Sequence, residues 1–305
     1  MRIGTFFGGD STVESQVQHI VDAEADGFDS VWAGQVFGPD SMTVIALAGQ
    51  RTTRIEMGTA VIPTFPRHPF VMAQQAMTVQ AATSGRFVLG VGLSHKPVIE
   101  TMWGLSYEHP ARHMKDYLSV LLPLVREGRV AYSGEVYSTA AGIQVPGAAP
   151  VPVIIAALAP LMLQMAGEMA DGTATWMTGA KTIETHVVPR ISAAAKAAGR
   201  PAPRVVVGLP VCVTDDAAAA REMVAKVFRI YGQLPNYRRM LDKEGAAGPA
   251  DVAIVGNEAQ VERHMRDLAS AGATDFMAPM VPVGADADAS LARTRALLKS
   301  LVGKV

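Results

Sequence analysis

The sequence predicts an α/β fold, a (β/α)8 TIM barrel with insertion segments. Three observations carry this expectation. Eight short runs rich in valine, isoleucine and phenylalanine recur along the chain: RIGTFF, DSVWAGQ, IEMGTAVI, RFVLGVGL, VPVIIAA, GTATWM, RVVVGLPVCV and TDFMAPMV. Their apolar residues are almost continuous instead of alternating, as expected of parallel strands covered on both faces. Segments with helical spacing lie between them. Open doubly wound sheets share the alternation, but eight units over 305 residues favour closure into a ring.

Between the first two runs, Ser11 to Gly27 reads STVESQVQHIVDAEADG. It opens on Ser11 as helix N-cap with Glu14 three residues on, spaces its apolar residues for one face, and closes on glycine. Comparable spacing predicts helices at Ser41–Arg51, Pro69–Ser84, Arg112–Glu127, Leu161–Ala170, Glu184–Ala198, Asp216–Tyr231, Glu258–Ala271 and Ser290–Leu301. Two stretches exceed what the barrel needs. Val130 to Val145, containing YSGEVYS, reads as a hairpin before the fifth strand. Gly232 to Asp251 is a polar, glycine-rich insertion after the seventh, of a length that often covers a site. No composition shift marks a linker, so residues 1–305 are expected to form one domain.

Lysine plus arginine number 27 against 28 aspartate plus glutamate, so no bulk field draws nucleic acid or an acidic membrane surface. The basic residues are scattered and form no aromatic-interleaved patch. Small-molecule partners are favoured. Cys212 lies inside the apolar run VVVGLPVCV and reads as a buried, inert thiol. The longest apolar run, VPVIIAALAPLML, is broken by proline and falls short of the roughly 18 residues of a membrane span. MRIGTFFGGD reads as a strand instead of a leader, which makes the cytoplasm the expected location. There is no P-loop and no GxSxG elbow, and the histidines lack metal-ligand spacing.

The stretch Phe87 to Pro97, FVLGVGLSHKP, contains half of a dinucleotide fingerprint. The full motif is G-x-G-x-x-G, and His95 stands where its third glycine belongs. Two glycines in a strand also mark close approach of another backbone or a ligand. Within the eight-unit pattern the stretch is the fourth strand. Ser94 to Lys96 then begin the loop at its C-terminal end, where barrel enzymes place their chemistry.

Four segments resemble the bacterial luciferase-like family, in its F420-dependent oxidoreductase branch: MGTAVIPTFPRHP, ATSGRFVLGVGLSH, VPVIIAALAPLMLQMAGEMADGTATWM and AGATDFMAPMVP. The resemblance covers nearly the whole chain and implies the same barrel fold. It further implies that the deazaflavin ring of F420, or alternatively the flavin of FMN, lies across the C-terminal strand ends. The expected ring contacts are Gly34, Gln35, Thr59, Ala60, Val61, Gly92, Leu93, Ser94, Trp176 and Met177. Several members carry a non-prolyl cis peptide in the third strand, which maps here onto Ala60–Val61. The cofactor phosphate is expected at Ala157, Leu158, Ala159 and Pro160, where relatives commonly have glycine in place of Ala159.

Alcohol- and sugar-oxidising relatives carry an acidic residue and a histidine after the second strand and a glutamate after the fourth. Here Gly34, Gln35 and His95 occupy those places. His95 is thereby the best-placed titratable group, either moving a proton or only lining the pocket. His68 is expected to brace the turn into the third helix, and His113 to sit near the start of the fourth. Arg112 reads as a surface arginine. His19, His186 and His264 fall on predicted helices and are expected to be peripheral. The implied activity is hydride transfer between F420 and a small organic substrate, more as a reductase than as an alcohol dehydrogenase. An FMN-dependent monooxygenase or a non-catalytic flavin-binding protein are the alternatives. Dimerisation is expected through the apolar helix SMTVIALAGQ.

Overall fold

The computed structural model describes residues 1–9, 11–35 and 37–305. Its strands are β1 (Arg2–Phe7), β2 (Ser30–Ala33), β3 (Glu56–Thr59), β4 (Ile62–Pro63), β5 (Phe87–Gly92), β6 (Arg129–Ser133), β7 (Ser138–Gly142), β8 (Val153–Ala156), β9 (Gly172–Trp176), β10 (Arg204–Gly208), β11 (Val211–Val213), β12 (Ile254–Gly256) and β13 (Asp275–Ala278). The ring runs β1, β2, β3 with β4, β5, β8, β9, β10, β13 and back to β1, every pairing parallel. Helices between successive strands cover the outside. The predicted closed (β/α)8 barrel is therefore the observed fold.

Strand register decides what fills the barrel. Pairings such as Phe6↔Trp32, Trp32↔Gly58, Gly58↔Val88, Ala156↔Ala174 and Gly208↔Trp176 put alternate residues on the inner face. Midway up, Trp32, Val88, Ile154, Ala174, Val206 and Met277 pack as one buried cluster. At the N-terminal end the inner positions are charged. Arg204 reaches Asp275 at 2.6 Å and Glu56 at 2.8 Å, and Arg2 reaches Glu56 at 2.9 Å. The Arg204 guanidinium lies 5.7 Å over the Trp32 ring. This ion-pair network plugs the barrel floor.

Several predicted elements take a different form. The run IEMGTAVI makes two strands, β3 and β4, separated by the Ala60–Val61 bond, which is cis as the resemblance implied. RVVVGLPVCV also divides. Pro210 has no N–H for a ladder, and beyond it β11 leaves the ring to pair with β12, a strand the sequence did not indicate. The first helix, Val13–Ala25, is capped by Thr12, whose side chain accepts from Ser15 N; Glu14 pairs with Arg51 at 2.9 Å instead of completing a capping box at Ser11. A π-helical turn at Pro97–Met102 was not foreseen.

The hairpin β6–β7 forms where expected. The glycine-rich insertion is mostly helical, with Pro235–Glu244 and Pro249–Val252, preceded by a 3₁₀ turn at Arg229–Gly232. The apolar residues of the helix Ser41–Gly49 face inward: Met42, Val44, Ile45 and Ala48 are buried in the chain's own core. Only Leu47 is left markedly exposed, so this helix has an intramolecular reason for its composition. Cys212 is fully buried, and burial raises its thiol pKa. No helix among the described residues is long and apolar enough to cross a membrane.

Candidate active site at the barrel mouth

At the C-terminal end the barrel's inner positions become small. Gly34, Ala60, Gly92, Ala156 and Gly208 stand at the ends of their strands, and larger side chains rise between them. The glycines fit close neighbours. A Cβ on Gly92 would lie 2.6 Å from Val61 Cγ2, one on Gly34 2.9 Å from Phe6 Cζ, and one on Gly208 2.6 Å from Trp176 Cε3. The glycines thus leave room for Val61, Phe6, Met277 and Trp176 to pack over the strand ends, the Phe6 and Trp176 rings 5.5 Å apart. Trp176 Nε1 is buried there without a hydrogen-bond partner among the described residues.

Ser94 and Met177 follow β5 and β9 with φ of 59° and 52°, in the left-handed region that non-glycine residues avoid. Backbone held this way clusters at functional sites. Thr59 does not face the mouth. It is fully buried, its hydroxyl donating to Gly90 O at 2.9 Å and accepting from Gly90 N at 2.8 Å. Gln35 is half-buried at the rim, and its side-chain carbonyl accepts from Ser41 N at 2.9 Å, fixing the start of that helix.

The turn after β8, where the phosphate is expected, leads directly into a helix. Ala157 N donates to Thr173 Oγ1 at 3.2 Å, and Ala159 is the N-cap of the helix Pro160–Met169 with no side-chain cap. The first amides of that helix are thus free of a side-chain competitor, which suits a phosphate. His186 is not peripheral. Its Nε2 donates to Leu158 O at 2.7 Å, and its Nδ1 is buried without a partner among the described residues. It sits on a continuation of the helix after β9, and nothing in the local sequence distinguished it from a surface histidine.

His95 and Leu93 are half-buried at the rim beyond β5. Burial lowers the His95 pKa. Its ring meets Tyr237 edge-on at 5.6 Å, and Tyr107 donates to the carbonyl of Ser94 at 3.4 Å. Tyr231 packs edge-on to Tyr237 at 5.2 Å and to Trp176 at 5.8 Å. The insertion reads as a cover from its length alone; its single aromatic residue, Tyr237, in an otherwise polar stretch, is the available signal.

Beside the mouth lies a cavity of about 410 Å³, lined among others by Phe65, Leu105, His113 and Tyr137. His113 stacks on Phe65 at 3.9 Å and bonds Thr64 Oγ1 at 3.0 Å, and burial lowers its pKa to about 4. Arg112 pairs with the exposed Glu135, as befits a surface arginine. His68 is the N-cap of Pro69–Ala82, its Nδ1 accepting from Phe70 N at 3.2 Å. No group of three or more metal-ligating side chains occurs among the described residues.

Fold and mouth are those of the TIM-barrel class, whose chemistry sits at the C-terminal strand ends. The chain belongs to the luciferase-like monooxygenase family, whose profile matches residues 1–302. An uncharacterised protein of Mycobacterium tuberculosis is 31% identical over 77% of this chain and 75% of its own length. The F420-dependent glucose-6-phosphate dehydrogenase of Intrasporangium calvum is 35% identical, over 51% of this chain and 52% of that protein. Among solved structures, the coenzyme F420-dependent tetrahydromethanopterin reductase of Methanopyrus kandleri superposes with a TM-score of 0.80 at 22% identity. The match covers 100% of this chain and 98% of that one.

Proposed function

We propose that the protein is an F420-dependent oxidoreductase acting as a reductase on a small organic acceptor. The observation that carries this is the cluster of small residues at the strand ends, packed closely against Phe6, Val61 and Trp176, with a titratable imidazole, His95, on its rim. Trp176 Nε1 is a buried donor with no partner among the described residues, and the helix after Ala159, which has no side-chain cap, suits a phosphate. When bound, the deazaflavin supplies the hydride. Gly92, Ala156 and Val61 would bear against the ring and keep water from it, while His95 would hold or move the proton that accompanies reduction.

The direction rests on the residues after β2. Gly34 has no side chain and Gln35 is engaged at a helix start, so neither accepts a proton from an alcohol. Titrating the purified protein separately with F420 and FMN tests the cofactor, with tighter binding of F420 expected. Preferential FMN binding would transfer the site to a flavin monooxygenase reading. Failure to oxidise reduced F420 with any of a panel of activated alkenes, ketones and imines would leave only a binding protein.

A further inference from the structure

Reduction of a carbonyl, or of a double bond conjugated to one, needs a proton for the oxygen that gains charge as well as a hydride. The insertion after β10 brings a phenol, that of Tyr237, against His95 on the rim. Tyr237 stands edge-on to His95 at 5.6 Å and to Tyr231 at 5.2 Å, and Tyr231 in turn packs edge-on to Trp176 at 5.8 Å. The arc Trp176, Tyr231, Tyr237, His95 therefore spans the mouth from β9 to the loop beyond β5. Burial raises the Tyr237 pKa, and the nearby phenols of Tyr231 and Tyr107 add to the rise, so it remains a neutral donor. Burial likewise favours the uncharged form of His95.

The charged groups nearby are turned outward. Lys96 is largely exposed and leans toward Glu100 at 3.8 Å, and Arg112 is committed to Glu135. An uncharged, aromatic-walled donor site of this kind selects a neutral acceptor over a phosphate or carboxylate, because a buried anion needs a partner charge.

We propose that Tyr237 is a catalytic residue, donating a hydrogen bond and then a proton to the oxygen of an uncharged conjugated carbonyl compound bound between it and the strand ends. The proposal rests on the F420 reductase reading. A hydride from the reduced deazaflavin forms a C–H bond at the electrophilic carbon. The π electron pair passes to the carbonyl oxygen, directly or through the conjugated system. The O–H bond of Tyr237 breaks as its proton joins that oxygen, and the phenolate recovers a proton from solvent by way of the neighbouring His95, which is the proton His95 moves. The acceptor is reduced by two electrons and the deazaflavin is oxidised.

The test uses Tyr237→Phe and 2-cyclohexen-1-one. In cofactor-free protein, where no turnover occurs, tryptophan fluorescence reads enone binding, and the variant should bind about tenfold more weakly for the lost hydrogen bond. In single-turnover oxidation of reduced F420 by the enone, the variant should be roughly a hundredfold slower with F420 affinity unchanged. Wild-type affinity and rate in the variant would overturn the proposal. So would absence of enone binding by the wild-type protein, or tighter binding of glucose 6-phosphate than of the enone. Failure of the wild-type protein to bind F420 strikes the proposed function instead, and appears in the cofactor titration before any enone is added.

Discussion

His95 stands where β5 stops: the strand's last inner residue is Gly92, and a left-handed Ser94 turns the chain so that the next side chain lies on the rim. If it handles the proton that accompanies hydride transfer, His95→Gln should lower turnover roughly a hundredfold while leaving cofactor affinity nearly unchanged. Single-turnover oxidation of reduced F420 measures this, and a wild-type rate would assign His95 to the pocket wall. Two other histidines make acid stability predictable. His19, bonded to Thr5 Oγ1, and His113 both have pKa values lowered by burial from 6.5 to about 4. Between those values the unfolded chain takes up protons that the fold refuses, so stability is full above about pH 6.5 and falls as the pH drops toward 4. Urea unfolding at about pH 7 and about pH 5 should show a lower midpoint in acid, and His19→Asn with His113→Asn should flatten the difference. These two positions also mark a limit of the sequence. Both were seen as helical histidines, but their burial depends on Thr5, Thr64 and Phe65, which come from distant strands and loops.

At the next scale, the pairing of β3 and β4 with β5 explains the two glycines that first resembled a nucleotide fingerprint. A Cβ on Gly90 would lie 1.9 Å from the carbonyl oxygen of Thr59, and backbone cannot yield as a flexible side chain does. Gly90→Ala should therefore destabilise the protein by about 3 kcal/mol or more, read by chemical denaturation; a near-neutral result would mean that the two strands separate easily. The close approach was legible in FVLGVGL, whereas the identity of the neighbour was not. Strand and helix order was legible because it rests on local periodicity, and so were the β6–β7 hairpin and the cap formed by His68. What stayed hidden depends on partners far along the chain. VCV pairs with IVG only after Pro210 ejects it from the ring, and the helix start at Thr12 turns on which of two adjacent hydroxyls meets an amide. Tyr237 of the insertion reaches His95 through folding alone.

For the whole molecule, the barrel is closed at one end by charge and at the other by aromatic rings. Asp275 is almost fully buried, and Arg204 is its nearest partner, with Arg2 at 3.4 Å. Arg204→Met leaves that carboxylate poorly compensated and should cost about 3 kcal/mol in urea unfolding. A smaller loss would mean that Arg2 or water takes over. Dimerisation through the helix Ser41–Gly49 remains a proposal for light scattering, and a concentration-independent monomer would remove it. The plugged floor also bears on stereochemistry. With the lower end sealed, everything that reaches the strand ends arrives from one direction, and the proposed deazaflavin, lying there, would present a single face to its acceptor. Hydrogen delivered from a deuterium-labelled reduced cofactor would then come from one prochiral position only, so the two diastereotopic hydrogens at that carbon would have different fates throughout turnover.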